Sequence, residues 1–456
     1  MKKLLFLFLL APVLITAQNT DDAVFIKNLS SDVLKNGQAH DLLRYLTKNI
    51  GGRLAGSPQF DKAIIWGEKT MKSLGADRVY LQECMMPNWK RGGKDVASVV
   101  LVDGKKSNRT LDVLALGNSM GTGGKVLIAE VMAVADFAEL EAKKDQVKGK
   151  IVYYNYQFNS TNIDPGKSYG EAGIYRRNGA SRAAKYGAVG IMIRSLTEAT
   201  DNNPHTGAMA YNDSFPKIPA IALGGYDANY IWELSKKSSF KVAFTTNGHF
   251  LPDAKGYNVI AEIKGSEFPE QIITVGGHLD SWDVNEGAHD DGTGVVHTME
   301  VLRALKAMGY KSKRTIRFVL FANEENGLRG GSKYAEEAKK NNEIHLFALE
   351  SDSGGFTPRG FAFTIDPALL AKMQAWLPLL KPYGTESLVM GGGGADIGPL
   401  NRTFGTALAG FEPDGQRYFD IHHARTDVFE NVNKRELLLG AINMASLIYL
   451  VDKYGL

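Results

Sequence analysis

From residue 32 to 50, apolar positions recur at helical spacing (Leu34, Leu42, Leu43, Leu46), and 60–74 repeats the pattern with Ala63, Ile64, Trp66, Met71 and Leu74. Between these two predicted helices stands a turn-rich loop, Gly51-Gly52-Arg53-Leu54-Ala55-Gly56-Ser57-Pro58. Gly75 stops the second helix ahead of a strand over 78–83. From about 95 to 250 the texture changes to short β-type runs at 96–102, 124–129, 149–154, 187–193 and 218–223, with one helical segment at 180–186. This stretch, 96–250, reads as an inserted β-rich domain. After Tyr257, strands at 271–275, 315–321 and 345–349 alternate with helices at 294–308 and 332–340, and a terminal helix covers 434–454. Such alternation predicts an α/β fold: a mixed, mostly parallel sheet flanked by helices, built from 18–95 and 251–456. Ligands of such sheets sit at the C-terminal ends of the strands.

The first residues form a separate unit. Lys2 and Lys3 precede an apolar run over 4–17, and the small residues Thr16 and Ala17 stand before Gln18. That layout reads as a cleaved secretory signal, 1–17, and implies export to the periplasm or the medium. The alternative, an uncleaved anchor, needs about 20 apolar residues, more than this run supplies. No other segment reads as membrane-spanning. Cys84 is the only cysteine, which excludes an internal disulfide framework and a thiolate zinc cluster. With 53 basic and 50 acidic residues the net charge is +3, which gives no electrostatic footprint for nucleic acid.

The 49 glycines concentrate in loops that also carry acids and histidines. The loop Gly276-Gly277-His278-Leu279-Asp280-Ser281 places an imidazole at a strand end beside an acid, suited either to a metal ligand with an orienting partner or to a structural His–Asp pair. His289-Asp290-Asp291-Gly292-Thr293-Gly294 opens a helix. Capping accounts for one of its acids, and the other is free to bind metal through both oxygens. Asn323-Glu324-Glu325-Asn326-Gly327 ends an apolar strand abruptly in two acids. Asp352 lies in Glu350-Ser351-Asp352-Ser353-Gly354-Gly355, after another strand. His422 and His423 precede the terminal helix in His422-His423-Ala424-Arg425-Thr426-Asp427. His40, His205, His249 and His345 lack a setting of this kind, and His297 fits a packed helix face. A nitrogen and carboxylate donor set without thiolates suits zinc. Five such ligands are too many for one tetrahedral ion with an open position, and two ions sharing a carboxylate use them all.

These motifs, in this order, resemble the M28 family of metallopeptidases, two-zinc exopeptidases with an aminopeptidase-type α/β fold. The loop at 51–58 and the twelve-residue step from His278 to Asp290 match as well, and 96–250 is similar to the protease-associated insert of one branch. The resemblance implies His278 on one zinc, Asp290 bridging both, and Glu325, Asp352 and His423 as the remaining ligands. Glu324 corresponds to the general base and Asp280 to the acid that orients His278. His422 stands where many relatives carry a substrate-binding tyrosine. Asp396, in a loop after four glycines, is a candidate for recognising a peptide end, with a flexible loop as the alternative. Hydrolysis of dipeptides or short peptides follows, by a homodimer in this branch. Whether the N- or the C-terminal residue is released stays open. A glutaminyl-cyclase-like acyltransferase and a non-catalytic binding protein are the competing readings, and the complete ligand set speaks against both.

Overall fold

The computed structural model describes residues 11–456, so the first ten positions of the predicted signal lie outside the described residues. A helix, Ala11–Asn36, runs through the boundary drawn at residue 17 and begins well before the start read at 32. Its residues Ile26, Leu29 and Val33 recur at helical spacing and are fully buried. Asp22, also buried, accepts hydrogen bonds from the hydroxyls of Tyr449 (2.7 Å) and Tyr454 (2.5 Å). Gly37, a poor helix former, follows its end. The region expected as one helix over 32–50 is therefore the end of this helix, a short helix Ala39–Tyr45 and a wide turn Leu46–Ile50. The next helix, Pro58–Ser73, is capped by Ser57, whose hydroxyl accepts the Phe60 amide at 3.1 Å, and begins on proline.

The main sheet runs in the order Arg78–Lys90, His249–Ile263, Arg314–Phe321, Phe268–His278, Ile344–Glu350, Ala407–Pro413, Pro358–Thr364, Ser387–Met390. The four strands from Arg314–Phe321 to Ala407–Pro413 are mutually parallel. His249–Ile263 is antiparallel to both of its neighbours, and Pro358–Thr364 to Ala407–Pro413. Along the central strand Arg314–Phe321, Ile316, Phe318 and Leu320 enter the core that also holds the helices Thr293–Ala307 and Lys434–Tyr454. Val319 and Phe321 face the opposite core, with Tyr334, Ala335 and Ala338 of the helix Arg329–Lys340. Burial on both faces explains why the strand reads as one continuous apolar run. Lys434–Tyr454 is the one described helix long and apolar enough to cross a membrane, and it is mostly buried in this core.

A second sheet is formed by Lys105–Leu111, Val96–Val102, Phe240–Thr245, Leu127–Val134, Ile151–Tyr154, Gly190–Arg194, Ala220–Leu223 and Val113–Ala115, in that order. Its strands Leu127–Val134 to Ala220–Leu223 are parallel, and helices pack on both faces. The helix Pro165–Ala184 is far longer than the segment read at 180–186. Its first part holds Gly166, Gly170 and Gly173, which lower intrinsic helicity and obscure the apolar period. This helix and the loop near 205–210 pack against the loops of the main sheet, where the chemistry lies.

Candidate metal centre

The parallel register assembles the centre. His278 ends its strand opposite Phe321 of the neighbouring strand, and the Leu279 amide donates to the Phe321 carbonyl at 2.7 Å. The chain after one strand thus lies beside the chain after the other, and Asp280 meets Glu324 and Glu325. On the other side, Gly276 pairs with Glu350, which brings Asp352 alongside His278. All three loops leave the C-terminal ends of parallel strands.

Asp290 stands at the middle. Its Oδ1 lies 3.2 Å from His278 Nε2, and that nitrogen lies 3.4 Å from Asp352 Oδ1. Its Oδ2 lies 3.1 Å from His423 Nε2 and 3.4 Å from His422 Nε2, while His423 Nε2 is also 3.2 Å from Glu325 Oε2. Two triads, His278 with Asp290 and Asp352, and Asp290 with His422 and His423, each converge within 4.8 Å and share Asp290. Asp290 Oδ2 is buried and has no hydrogen-bond partner. A buried carboxylate oxygen left open between nitrogen donors, in a set of imidazoles and carboxylates, fits divalent zinc.

The surrounding residues hold this arrangement. Asp291 accepts the amides of His278 (2.9 Å) and Gly294 (3.0 Å), so it is the acid that caps the helix. Asp427 accepts the amides of His289 (2.7 Å) and Asp290 (3.1 Å). Arg53, from the loop at 51–58, is buried and donates to the carbonyls of Leu279, Glu286 and Gly287. Burial pushes the Glu324 carboxyl well above the usual carboxylate range; His278 opposes this, and the charges of Asp352 and Glu325 add to it. Glu325 is pushed up to about 7, by burial and then by Asp290. Such an excess of buried acid is the electrostatic mark of a cation site.

The remaining candidates fall in different places. The His422 ring stacks on His423 with centroids 3.6 Å apart and borders the cleft. Asp280 is nearest His278 through its main-chain oxygen, 3.0 Å from Nδ1, whereas its carboxylate is 3.8 Å away and is held by amides. Asp396 is buried; its amide donates to Glu350 Oε2 at 3.1 Å, and it is absent from the cleft lining. Both of its carboxylate oxygens are buried without a hydrogen-bond partner. His289 bonds to the Asn431 carbonyl and the Gly355 amide, and His297 to Ser351 and the Leu437 carbonyl, both away from the donor set. Sequence reasoning passed over His205, which lies behind the histidine pair, Nδ1 2.7 Å from the His422 carbonyl oxygen. It also passed over Arg176 and Asn118; Asn118 and Asn326 exchange two hydrogen bonds. Nothing local ties these positions to the donor set, because the residues they meet lie more than two hundred positions away along the chain.

The model of peptidase family M28 matches residues 258–448, the stretch that supplies every donor named above. Carboxypeptidase Q of Xenopus laevis is 37% identical over 408 residues, covering 89% of this chain and 84% of that protein. The chain belongs to peptidase family M28. Carboxypeptidase Q of Mus musculus is 34% identical, with 95% of this chain and 90% of that one aligned. A peptidase M28 precursor from Shewanella amazonensis superposes with a TM-score of 0.89 at 31% identity, covering 95% of this chain and 97% of that one. A zinc aminopeptidase from Bacillus subtilis shares the fold, with a TM-score of 0.66 at 20% identity over 91% and 94% of the two chains. The family model stops at the main sheet, whereas the superposition on the Shewanella protein, at 95% of this chain, takes in both sheets.

Proposed function

We propose that this M28 member hydrolyses dipeptides or short peptides at a two-zinc centre bridged by Asp290. The enzyme is a zinc-dependent metallo-exopeptidase. The observation that carries the two-ion reading is the division of Asp290: one oxygen faces His278 and, through it, Asp352, and the other faces His423 and, through it, Glu325. In this reading His278 and Asp352 would hold one zinc, Glu325 and His423 the other, and Asp290 both. When bound, the zinc pair acidifies water from a pKa of ~15.7 to about 7 and polarises the scissile carbonyl.

Glu324, held at the cleft through its amide, takes the proton of the attacking water and returns it to the leaving amine. His422 borders the cleft beside His423 and meets the substrate. The cleft, about 600 Å³, suits a short peptide. Residues 96–250 form the inserted, protease-associated domain over the catalytic domain of 18–95 and 251–456. Export as a homodimer follows from the basic and apolar start of the chain and from the family resemblance.

The test is hydrolysis of a free dipeptide by the zinc-loaded protein, before and after chelation. Cleavage that stops with chelator and returns with zinc is expected. Zinc-loaded protein that cleaves neither the free dipeptide nor its N- or C-blocked forms would contradict the reading.

A further inference from the structure

The cleft is lined by two basic residues, Arg176 and Arg177, and only Arg176 is buried, at 6% exposure. Both come from the helix Pro165–Ala184, which also presents Tyr169 to the cleft, two turns before Arg176. Arg176 Nε is buried without a hydrogen-bond partner. Its Nη1 lies 3.4 Å from His423 Nδ1. That contact does not satisfy it. With Nε2 given to zinc in the reading above, the His423 ring would carry its proton on Nδ1, which faces the Thr206 carbonyl at 3.4 Å. Among the described residues no carboxylate pairs with Arg176, although Asp164, Glu324, Asp352 and Glu412 line the same cleft.

The position is built, because room is made for the guanidinium. Gly207 has φ +129°, and an added Cβ there would stand 2.4 Å from Arg176 Nη1 and 2.7 Å from His423 Nδ1. The guanidinium lies 5.1 Å over the Tyr169 ring, and a permanent charge buried beside the reacting centre, with Nε unpartnered and no carboxylate on it among the described residues, is costly unless a ligand completes it. The planar fork matches a carboxylate in two parallel hydrogen bonds. A C-terminal carboxylate is separated from the scissile carbonyl by one residue, at most about 3.6 Å of extended chain, so its receptor must stand next to the metal ligands. Arg176 stands there.

We propose that Arg176 is a specificity-determining residue that binds the free α-carboxylate of the substrate's C-terminal residue, so that the enzyme releases that residue. This rests on the exopeptidase reading above. The test measures kcat/KM of zinc-loaded wild type, Arg176→Ala and Arg176→Lys on alanyl-leucine, its C-terminal amide and alanyl-glutamate amide. In Arg176→Ala the free acid is expected to lose roughly a hundredfold, mostly through KM, and the leucine amide less than about threefold. Arg176→Lys recovers part of the loss on the acid. An equal loss on acid and amide would overturn the proposal, since it marks a structural or carbonyl-binding role. So would a selective loss on alanyl-glutamate amide, which marks a side-chain subsite. Wild type that cleaves none of the three would overturn the exopeptidase reading instead. Calorimetry of leucine against leucinamide then judges Arg176 by itself: tighter binding of the acid, lost in Arg176→Ala, supports it, and equal affinities overturn it.

Discussion

The carboxylate of Asp280 and the backbone of Glu324 are hydrogen-bonded, Oδ1 accepting the Glu324 amide at 3.0 Å. Oδ2 takes the Glu325 amide at 3.4 Å, while the main-chain oxygen of Asp280 meets His278 Nδ1. One residue at the end of one strand thus positions an imidazole and both glutamates of the next strand's loop. In Asp280→Asn the amide group offers one acceptor in place of two. We expect kcat to fall roughly ten- to a hundredfold, as for lost orienting partners of metal ligands. Steady-state kinetics with zinc content on the same samples check this; unchanged kcat would show that the Glu324 loop holds its place without Asp280.

Glu324 is not part of either converging triad, so its removal separates chemistry from metal binding. Glu324→Gln should retain its zinc and lose turnover by roughly 10²–10⁴-fold, the contribution of a general base. Metal analysis beside kcat decides it, and a zinc-loaded variant with wild-type turnover would remove Glu324 from the mechanism.

Arg53 secures the loop from Leu279 to Gly287 through three carbonyls, with Asp280, Asp291, Asp427 and Asp290 near enough to favour its charge against burial. Arg53→Met removes the donor from the Leu279 and Glu286 carbonyls, while Gly287 keeps the Gly292 amide at 3.0 Å. A loss of about 3 kcal/mol is expected. It should appear as a lower denaturant midpoint at unchanged slope.

His297 supplies a pH dependence away from the donor set. Nε2 donates to the Leu437 carbonyl, so the neutral ring accepts the Ser351 hydroxyl on Nδ1. Burial lowers its pKa from 6.5 to about 4. Between those values the unfolded chain binds more protons than the folded one, so this contribution is complete above 6.5 and is lost as the pH falls toward 4. The stability gap between wild type and His297→Gln, by urea unfolding, should therefore be smaller at pH 5 than at pH 7.5.

What the chain discloses locally, it disclosed well. The apolar run before Asn323 has both faces buried, and its abrupt change to Glu324 and Glu325 marks the strand's end at the centre. The pair Asp290-Asp291 carried two meanings; the family resemblance gave Asp290 the shared position, and the fold gives the cap to Asp291, which accepts the His278 and Gly294 amides. Where the determinant is long-range, the pattern was silent. Arg176 sits in a helix whose early glycines hide its period, and its meeting with His423 spans the two sheets. Asp396, which the glycine-rich setting offered either for a peptide end or as part of a flexible loop, is buried with its amide on Glu350.

The central claim is that Asp290 is shared by two zinc ions. Anomalous diffraction at the zinc edge, on crystals of the zinc-loaded enzyme, tests it directly. Two peaks are predicted, about 3.5–4 Å apart, one beside each carboxylate oxygen of Asp290. A single peak, or two peaks that do not share Asp290, would contradict it.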